Sequence, residues 1–448
     1  MTTKIVIKQL NPELRIHNYN EVVLGYSEEE AIAEANRCLN CINHPCVDEC
    51  PIHNNIPAFI SKIKERKYQE AYEIISANSP IPSICSRVCS CENQCQKKCT
   101  RGIKGNAICI NALERYVSDI GENRIVKKIS NDHSVAIIGS GPSGLSCAKQ
   151  LAILGYDVTV FEEEDVLGGI LTYGIPEFRL PKRIVEKEIN TILQLGVHVR
   201  KNTKLGKDIT IKDLLREFEC IYIAIGANEP KLMQIPGENL KGFYEANKFL
   251  YEANLSNSEI SNEIKDKKVI VVGGGNVAMD VARSAIRLGA KSVNVVYRRS
   301  LEEMPASKDE LKQAQDEQIS LILLTNPIEI VESSLKNGHI GSIKCIKMQL
   351  GEPDEKGRRR PIAIEGSQHN IEADVVIEAI SSKINEETIK ELETNKYGYP
   401  IVDEKGRTSI ENVFAGGDMV DGPSTVIQAV KAGKIAANAI NEYLNKSE

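Results

Sequence analysis

The chain has 448 residues, more than one hydrophobic core usually supports, so we expect two or three domains. Its composition, 42% hydrophobic and 26% charged, is that of a folded globular protein. The net charge of −6, without any block of lysine and arginine, argues against nucleic acid as a partner. The sequence has neither an N-terminal apolar run nor a stretch of about 18 apolar residues, so we expect no signal peptide, no membrane span and a cytoplasmic location.

Cysteine is the first residue type whose count is informative. Of the 13 cysteines, ten lie between Cys38 and Cys109. A secreted disulfide scaffold would be small and exported, so clustered thiols in this chain indicate metal binding or redox chemistry. Apolar residues recur with helical spacing at 68–77 and 107–117, which predicts that the cysteines lie in a helical region.

Seven of these cysteines form two runs with short internal spacings. Thiolates so close in sequence converge on one centre, and seven of them supply seven of the eight ligands of two [4Fe-4S] clusters. Zinc and a redox-active dithiol are the alternatives for a CxxC pattern. Iron is favoured because the rest of the chain is predicted to bind redox cofactors, and zinc has no redox chemistry. The two runs are Cys38, Cys41, Cys46 and Cys50, followed by Cys89, Cys95 and Cys99.

The first glycine-rich turn follows a short apolar strand and precedes a helix. Gly139 permits the tight turn, Gly141 lets the backbone approach a pyrophosphate, and Gly144 lets the helix pack closely on the strand. Glu162 ends the next strand, where a carboxylate accepts hydrogen bonds from ribose hydroxyls. The alternative is a structural turn with a solvated acid. Because strand, helix and acid all stand at the expected places, the pattern predicts a dinucleotide site.

A second unit of the same kind begins near residue 267. Its turn, Gly273, Gly275 and Ala278, follows another apolar strand. The next strand ends in Arg298 and Arg299 rather than in an acid. A guanidinium pairs with a 2′-phosphate that a carboxylate would repel, so this unit is predicted to prefer NADPH to NADH. The alternative is that both arginines are solvated charges at a strand end.

Eight segments together match one known family. They are CPIHNNIP (50–57), RVC (87–89), CQKKC (95–99), GGILTYGIPEFRLPK (168–182), AIGA (224–227), YRRSLEEMPAS (297–307), LGEPDEKGRRRPI (350–362) and AGGDMVDGPSTVIQAVKAGKIAA (415–437). The chain resembles the small (beta) subunit of bacterial NADPH-dependent glutamate synthase. It equally resembles the FAD/NADPH part of dihydropyrimidine dehydrogenase and the large subunit of NADH-dependent ferredoxin:NADP oxidoreductase. The likeness covers nearly the whole chain.

The resemblance implies a crossed arrangement of cluster ligands, which has a precedent in two-cluster ferredoxins. One cluster would take Cys38, Cys41 and Cys46, with a fourth ligand from the helix near Glu114. Cys50 would leave its own run and join the second cluster, whose other ligands would be Cys89, Cys95 and Cys99. The family usually has proline after the cysteine at 89, and Ser90 follows it here. Three further thiols are alternatives to Glu114, namely Cys85, Cys91 and Cys109.

The resemblance also implies which residues hold the nucleotides. FAD would lie against the first turn, Glu162, the segment after it and the returning C-terminal strand and helix, whose N-terminus favours reduced, anionic flavin. For Asp418, a turn or helix-cap role is the alternative. The FAD set is Gly139, Ser140, Gly141, Pro142, Ser143, Gly144, Glu162, Gly168, Gly169, Ile170, Arg179, Leu205, Gly417, Asp418, Ser424, Thr425 and Val426. The NADPH set is Gly273, Gly275, Asn276, Val277, Arg298 and Arg299.

These observations predict an α/β fold with two dinucleotide-binding (Rossmann-like) domains, one inserted in the other, preceded by an α-helical iron–sulfur domain. A polar linker is expected at 121–133. The expected domains are 1–125 for the clusters, 131–250 with 390–448 for FAD, and 251–389 for NADPH.

The predicted activity is that of an NADPH-dependent electron-transfer subunit of glutamate synthase type, working with a large-subunit partner in a hetero-oligomer. A hydride passes from NADPH to FAD, and single electrons then pass through the clusters, with no side-chain acid or base required. One alternative is a subunit that exchanges electrons with ferredoxin or sulfide. A non-catalytic iron–sulfur scaffold is the other.

Overall fold

The computed structural model describes residues 3–124, 129–255, 258–354 and 357–445. Part of the expected linker, 125–128, lies outside these ranges. Two five-stranded parallel sheets follow a helical N-terminal region, which agrees with the predicted fold class. Among the described residues, no helix is long and apolar enough to cross a membrane.

The N-terminal region packs short helices around Phe59, Ile60 and Ile63. Several of these helices begin at a side-chain cap or a proline, which defines their starts. The two helices predicted from apolar spacing are present. The helices are Pro12–Arg15, Glu28–Asn36, Pro45–Asp48, Ile56–Lys64, Tyr68–Asn78, Pro82–Val88 and Ile110–Ile120, with 3₁₀ turns Cys91–Asn93 and Thr100–Ile103 and strands Lys8–Gln9 and Val23–Gly25.

The first parallel sheet contains the first glycine turn and also receives the end of the chain. A late strand pairs with an early one, so the chain returns to this sheet after building the second. In spatial order the strands are Val413–Ala415, Cys220–Ile223, Ser134–Ile138, Asp157–Phe161 and His198–Arg200. The helices that accompany it are Pro142–Leu154, Ile170–Tyr173, Lys182–Leu193, Ile211–Glu217, Asp418–Asp421 and Val426–Leu444, with the 3₁₀ turn Glu386–Ile389.

The second parallel sheet contains the second glycine turn and carries an antiparallel extension. In spatial order its strands are Ser320–Ile322, Ser292–Val296, Lys268–Val272, Val375–Glu378 and Phe243–Glu245. The extension is formed by Thr325–Glu332, Ile340–Pro353, Arg359–Ala363 and His369–Glu372. The helices are Ala246–Leu255, Ser258–Ile264, Asn276–Arg287 and Lys308–Asp316, with the 3₁₀ turn Leu301–Glu303.

The chain crosses between the two sheets earlier than the sequence predicts. Strand Phe243–Glu245 already pairs in the second sheet, although 131–250 was expected to belong to the first domain. Strands Glu229–Pro230 and Ser382–Lys383 pair antiparallel where the chain leaves and returns. Ile384 then joins the core of the first sheet. We therefore place the boundaries near residues 230 and 383, because apolar residues beyond each point pack in the other core.

A buried charge network joins the N-terminal region to the second domain. Glu317 accepts from Arg283 and Arg287 of the second domain, and from Arg15 of the N-terminal region at 2.6 Å. These four side chains are at most 1% exposed. The guanidiniums hold the pKa of Glu317 at about 2 against the opposing effect of burial. Removing one member would leave uncompensated charge in the interior.

We predict that Glu317→Gln lowers the free energy of unfolding by about 3–5 kcal/mol, because it leaves buried arginines without a full counter-charge. Thermal and denaturant unfolding measure the change. The matched control is Glu387→Gln, which breaks an exposed pair with Lys390 and should leave the free energy of unfolding nearly unchanged. Equal effects of the two variants would contradict a structural role for the network.

Candidate functional site

The first glycine turn has the geometry that a pyrophosphate needs. Gly139 has a φ of +101°, which other residues rarely adopt. A Cβ on Gly144 would lie 1.9 Å from the Gly139 carbonyl oxygen, so helix and strand touch there. A Cβ on Gly141 would meet no atom within 4 Å in the described residues, which leaves room for a ligand beside the helix N-terminus.

Glu162 lies buried beside this turn. Its Oε2 accepts from the backbone N–H of Ser140 at 2.9 Å and from the Ser140 hydroxyl at 2.5 Å. The same hydroxyl oxygen accepts from the N–H of Gly168 at 3.0 Å. The acid therefore orders the loop around the turn and, at the same time, borders the space next to it.

One large cavity opens between the two sheets. Its wall contains most of the predicted FAD residues and the start of the second turn's helix, so the two predicted nucleotide sites meet in one space. The predicted residues Gly417 and Gly144 are not among those at the wall, and each packs closely against neighbouring residues. A Cβ on Gly417 would lie 3.1 Å from the Cβ of Ser143. The predicted residues at the wall are Gly139, Ser140, Gly141, Pro142, Ser143, Glu162, Gly169, Ile170, Arg179, Leu205, Asp418, Ser424, Thr425, Val426, Asn276 and Val277.

The long C-terminal helix points its N-terminus at this cavity. Asp418 Oδ1 accepts from the backbone N–H and hydroxyl of Ser424 at 3.2 and 2.9 Å, so the turn role weighed for this residue is present. Burial raises the pKa of Asp418. The buried hydroxyl of Thr425, the helix N-cap, has no hydrogen-bond partner within the described ranges. An orphaned hydroxyl and free helix N–H groups suit a polar or anionic ligand.

Arg179 lines the cavity, and its guanidinium also forms ion pairs with two acidic side chains. Its Nη1 donates to Asp280 Oδ2 at 2.5 Å, and its Nε lies 3.1 Å from Glu310 Oε1. Both acids belong to the second domain, so this arginine joins the two domains across the cavity floor. These contacts indicate a role in domain positioning, and the predicted contact of Arg179 with FAD stays a prediction, since the two ion pairs use only Nη1 and Nε of a guanidinium that carries five N–H donors.

Arg298 and Arg299, which end the strand expected to contact the NADPH ribose, differ in burial and in their contacts. Arg298 is exposed. Arg299 is buried, and its Nε donates to the carbonyl oxygen of Arg359 at 2.9 Å. Arg359 in turn pairs with Glu303 at 2.5 Å. Arg298 is therefore the better candidate for a 2′-phosphate, whereas Arg299 fixes the loop to the antiparallel extension.

Four thiols line one small apolar cavity in the N-terminal region: Cys38, Cys41, Cys46 and Cys99. The Cys41 thiol donates to Thr100 Oγ1 at 3.2 Å, which ties the first cysteine run to the turn that follows Cys99. Burial, then the neighbouring thiols, raises the pKa of Cys46 to about 12. The expected set placed Glu114 with the first run. The structure places Cys99 there instead, because the chain folds back at Thr100.

A second group surrounds Glu114. Burial first, with a smaller effect of the nearby Glu114 carboxyl and Cys95, raises the pKa of the Cys50 thiol to about 11. A hydrogen bond with Cys85, then burial and the same two neighbours, raises the pKa of Cys89, so Cys50, Cys89, Cys95 and Glu114 lie close together. Burial alone raises the pKa of Glu114 to about 8. Its helix, Ile110–Ile120, packs on Pro82–Val88, which ends at Cys89, so helix packing brings the acid to this group. Three thiolates and a carboxyl complete a donor set for a second cluster.

Two of the three additional thiols border the second group, and the third has a different partner. Cys85 hydrogen-bonds Cys89, and Cys91 hydrogen-bonds Cys95, so both border the second group. Cys109 hydrogen-bonds Tyr26 instead. Among the described residues, no three Cys, His, Asp or Glu side chains converge as ligands of a single metal ion do. The four thiols of the first group surround a small cavity, as the ligands of a multi-atom cluster must.

Cys89, a member of the second thiol group, is flanked in sequence by two residues of the large cavity's wall. These two residues are Val88 and Ser90. Cys50 and Cys89 pack against the helical core and also against the core of the first sheet. No local pattern predicts this juxtaposition. Asp280, Tyr173 and Asn247 also belong to the wall and were not among the predicted site residues.

Comparison with known proteins gives two family matches. A model described as pyridine nucleotide-disulphide oxidoreductase matches residues 133–433. A model described as dihydropyrimidine dehydrogenase domain II, 4Fe-4S cluster, matches residues 15–125. The two matches divide the chain where the helical region gives way to the first sheet.

Similar curated proteins support the same division. The beta subunit of NADP(+)-dependent formate dehydrogenase from Moorella thermoacetica is 38% identical over 90% of this chain, which spans 60% of that subunit. The small chain of NADPH glutamate synthase from Escherichia coli is 34% identical over 96% of this chain and 95% of its own length.

Among solved structures, FprA from Mycobacterium tuberculosis in complex with NADPH aligns with a TM-score of 0.59 at 20% identity, covering 70% of this chain and 85% of FprA. This likeness supports the two-domain fold. The resemblance stated from the motifs is thus confirmed. The chain belongs to the pyridine nucleotide-disulphide oxidoreductase family, as an NADPH-dependent flavin oxidoreductase of the glutamate synthase small-chain type with an N-terminal 4Fe-4S domain.

Proposed function

We propose that this chain oxidises NADPH and delivers single electrons to a partner protein through two iron–sulfur clusters. The single observation that carries this proposal is the position of Cys89. Its neighbours Val88 and Ser90 border the cavity that holds the predicted flavin residues. A redox centre on this thiol would therefore be separated from the flavin site by side chains alone, with no intervening domain.

Each part of the site has a role that follows from its own contacts. The first glycine turn and Glu162 would hold the FAD phosphates and ribose, and the helix beginning at Val426 would face the flavin ring. Asn276 and Val277 would bring the nicotinamide to the same cavity. Arg179 and Asp280 would keep the two nucleotide domains at a constant distance. When bound, FAD supplies the conversion of a two-electron hydride into single electrons.

The proposed cluster ligands differ from the expected sets by one exchange. Cys99 joins Cys38, Cys41 and Cys46 around the outer cavity. Glu114 joins the inner group, which borders the flavin cavity and consists of Cys50, Cys89 and Cys95. Cationic iron would compensate both the buried carboxylate and the buried thiolates.

The partner is proposed from the relatives. Two similar proteins are named as a beta subunit and a small chain, which supports work in a hetero-oligomer. A large subunit of glutamate synthase type is the first candidate. The formate dehydrogenase beta subunit has the higher identity, so a formate-oxidising partner that supplies electrons for NADP⁺ reduction is the second. Co-purification of the native complex distinguishes them.

To test the electron path, protein prepared without oxygen is mixed with NADPH. We expect flavin and iron–sulfur absorbance to bleach together and a dye acceptor to be reduced. Cys89→Ser should still reduce the dye through the flavin, while the remaining iron–sulfur absorbance bleaches at least tenfold more slowly. Cys345→Ser, which changes a buried thiol of the second sheet's core, is the control. A Cys89→Ser protein whose clusters bleach as fast as the wild type would refute the path.

If Cys99 belongs to the outer group and Glu114 to the inner one, double variants should differ in how much iron they bind. Each full chain should hold about eight iron atoms, and loss of one ligand pair from a single group should leave about four. Cys38→Ser with Cys99→Ser should therefore retain about four, since both belong to the outer group. Cys38→Ser with Cys89→Ser should retain almost none. If the first pair also removes nearly all iron, Cys99 belongs to the inner group and the exchange is wrong.

Arg298 is predicted to set the preference for NADPH. Arg298→Ala should raise KM for NADPH about tenfold to a hundredfold, because a charge-assisted contact with the 2′-phosphate is lost, and should leave KM for NADH nearly unchanged. Steady-state dye reduction measures both constants. Arg216→Ala, an exposed arginine of the first domain, is the matched control and should change neither. A proportional rise in both KM values would contradict the assignment.

A further inference from the structure

The outer thiol cavity lies beneath an unusual patch of surface. Three large apolar side chains in the segments that line it are exposed: Ile42 is 93% exposed, Ile103 78% and Leu39 55%. Leu39 lines the cavity itself, Ile42 follows Cys41, and Ile103 belongs to the 3₁₀ turn that begins at Thr100. Apolar residues gathered at one point on a surface mark a protein contact, whereas the same residues scattered would not.

The charged side chains near these apolar residues are mainly positive. The segment 97–104 contains four basic residues and no acidic one, although the whole chain carries a net charge of −6. Lys97, Lys98 and Lys104 are exposed. Glu49 lies 3.7 Å from Lys98 and offsets part of this charge. The apolar centre is therefore bordered by an excess of positive charge.

We propose that this patch, defined by Leu39, Ile42 and Ile103 with Lys97, Lys98 and Lys104, docks a redox protein that presents an apolar face bordered by carboxylates. The proposal rests on the proposed function and adds the place and chemistry of the exit. The flavin cavity adjoins the inner thiol group, and the outer thiol group adjoins this patch. A partner docked here meets the end of the path that is farther from the flavin.

The positive charge of the rim favours a partner whose docking face is bordered by carboxylates. Opposite charges at the rim of an interface speed encounter and orient it, and the effect on association rates is tenfold or more at low ionic strength. Apolar side chains at the centre exclude water from the contact. A basic partner would be repelled by the same rim.

The test uses two small electron acceptors of opposite charge: an acidic rubredoxin and the basic mitochondrial cytochrome c. One NADPH yields NADP⁺, a proton and two electrons, which reduce two ferric acceptors to the ferrous state. The variant is Lys97→Glu, Lys98→Glu and Lys104→Glu in the full chain. The control carries Lys201→Glu, Lys207→Glu and Lys212→Glu, three exposed lysines of the first domain. Rates are normalised to bound iron.

We expect the patch variant to reduce rubredoxin at least tenfold more slowly than the control, to reduce cytochrome c no more slowly, and to reduce a dye at the wild-type rate. Salt should slow the wild type with rubredoxin. Ile42→Ser with Ile103→Ser should also slow rubredoxin at unchanged dye rate. Equal rubredoxin rates in patch and control variants, with normal dye reduction, would overturn the docking site alone. Absence of NADPH oxidation by the wild type with dye would instead overturn the proposed function.

Discussion

The buried ion pairs between domains are the constraint on which the rest of this structure depends. Arg179 of the first domain is held by Asp280 and Glu310 of the second, and Glu317 of the second is held in part by Arg15 of the helical region. Domains within one chain usually move relative to one another. Buried charges resist such motion, because separating them would leave each without its partner in a medium of low polarity.

This constraint holds together the three sides of the cavity wall. The first turn and the C-terminal helix form one side, the start of the second turn's helix forms another, and the end of helix Pro82–Val88 closes part of the third. Three predicted sites of different chemistry therefore border one cavity. In the proposed path, electrons pass from nicotinamide to flavin, then to the inner thiols and the outer thiols, and the basic patch adjoins the outer end.

Short sequence patterns predict a site wherever residues close together in the chain form it. The two glycine turns, their strands and helices, and the acid at 162 follow from patterns of fewer than about 30 residues. The proposed preference for a 2′-phosphate rests on the arginine at 298, and only its burial in the structure separates Arg299 from it. The cysteine runs predicted iron–sulfur chemistry for the same reason, since thiolate ligands come close together in sequence.

The sequence by itself determined the fold class, the cofactor types and the family, because these depend on short segments with a mechanism of their own. Only the tertiary structure decided that Cys99 and Glu114 exchange groups, since a turn at Thr100 and the packing of Ile110–Ile120 place them. It also decided that Arg179 binds carboxylates a hundred residues away and that the domains cross near residues 230 and 383. Contacts between distant segments depend on how whole domains pack, and no local pattern encodes that.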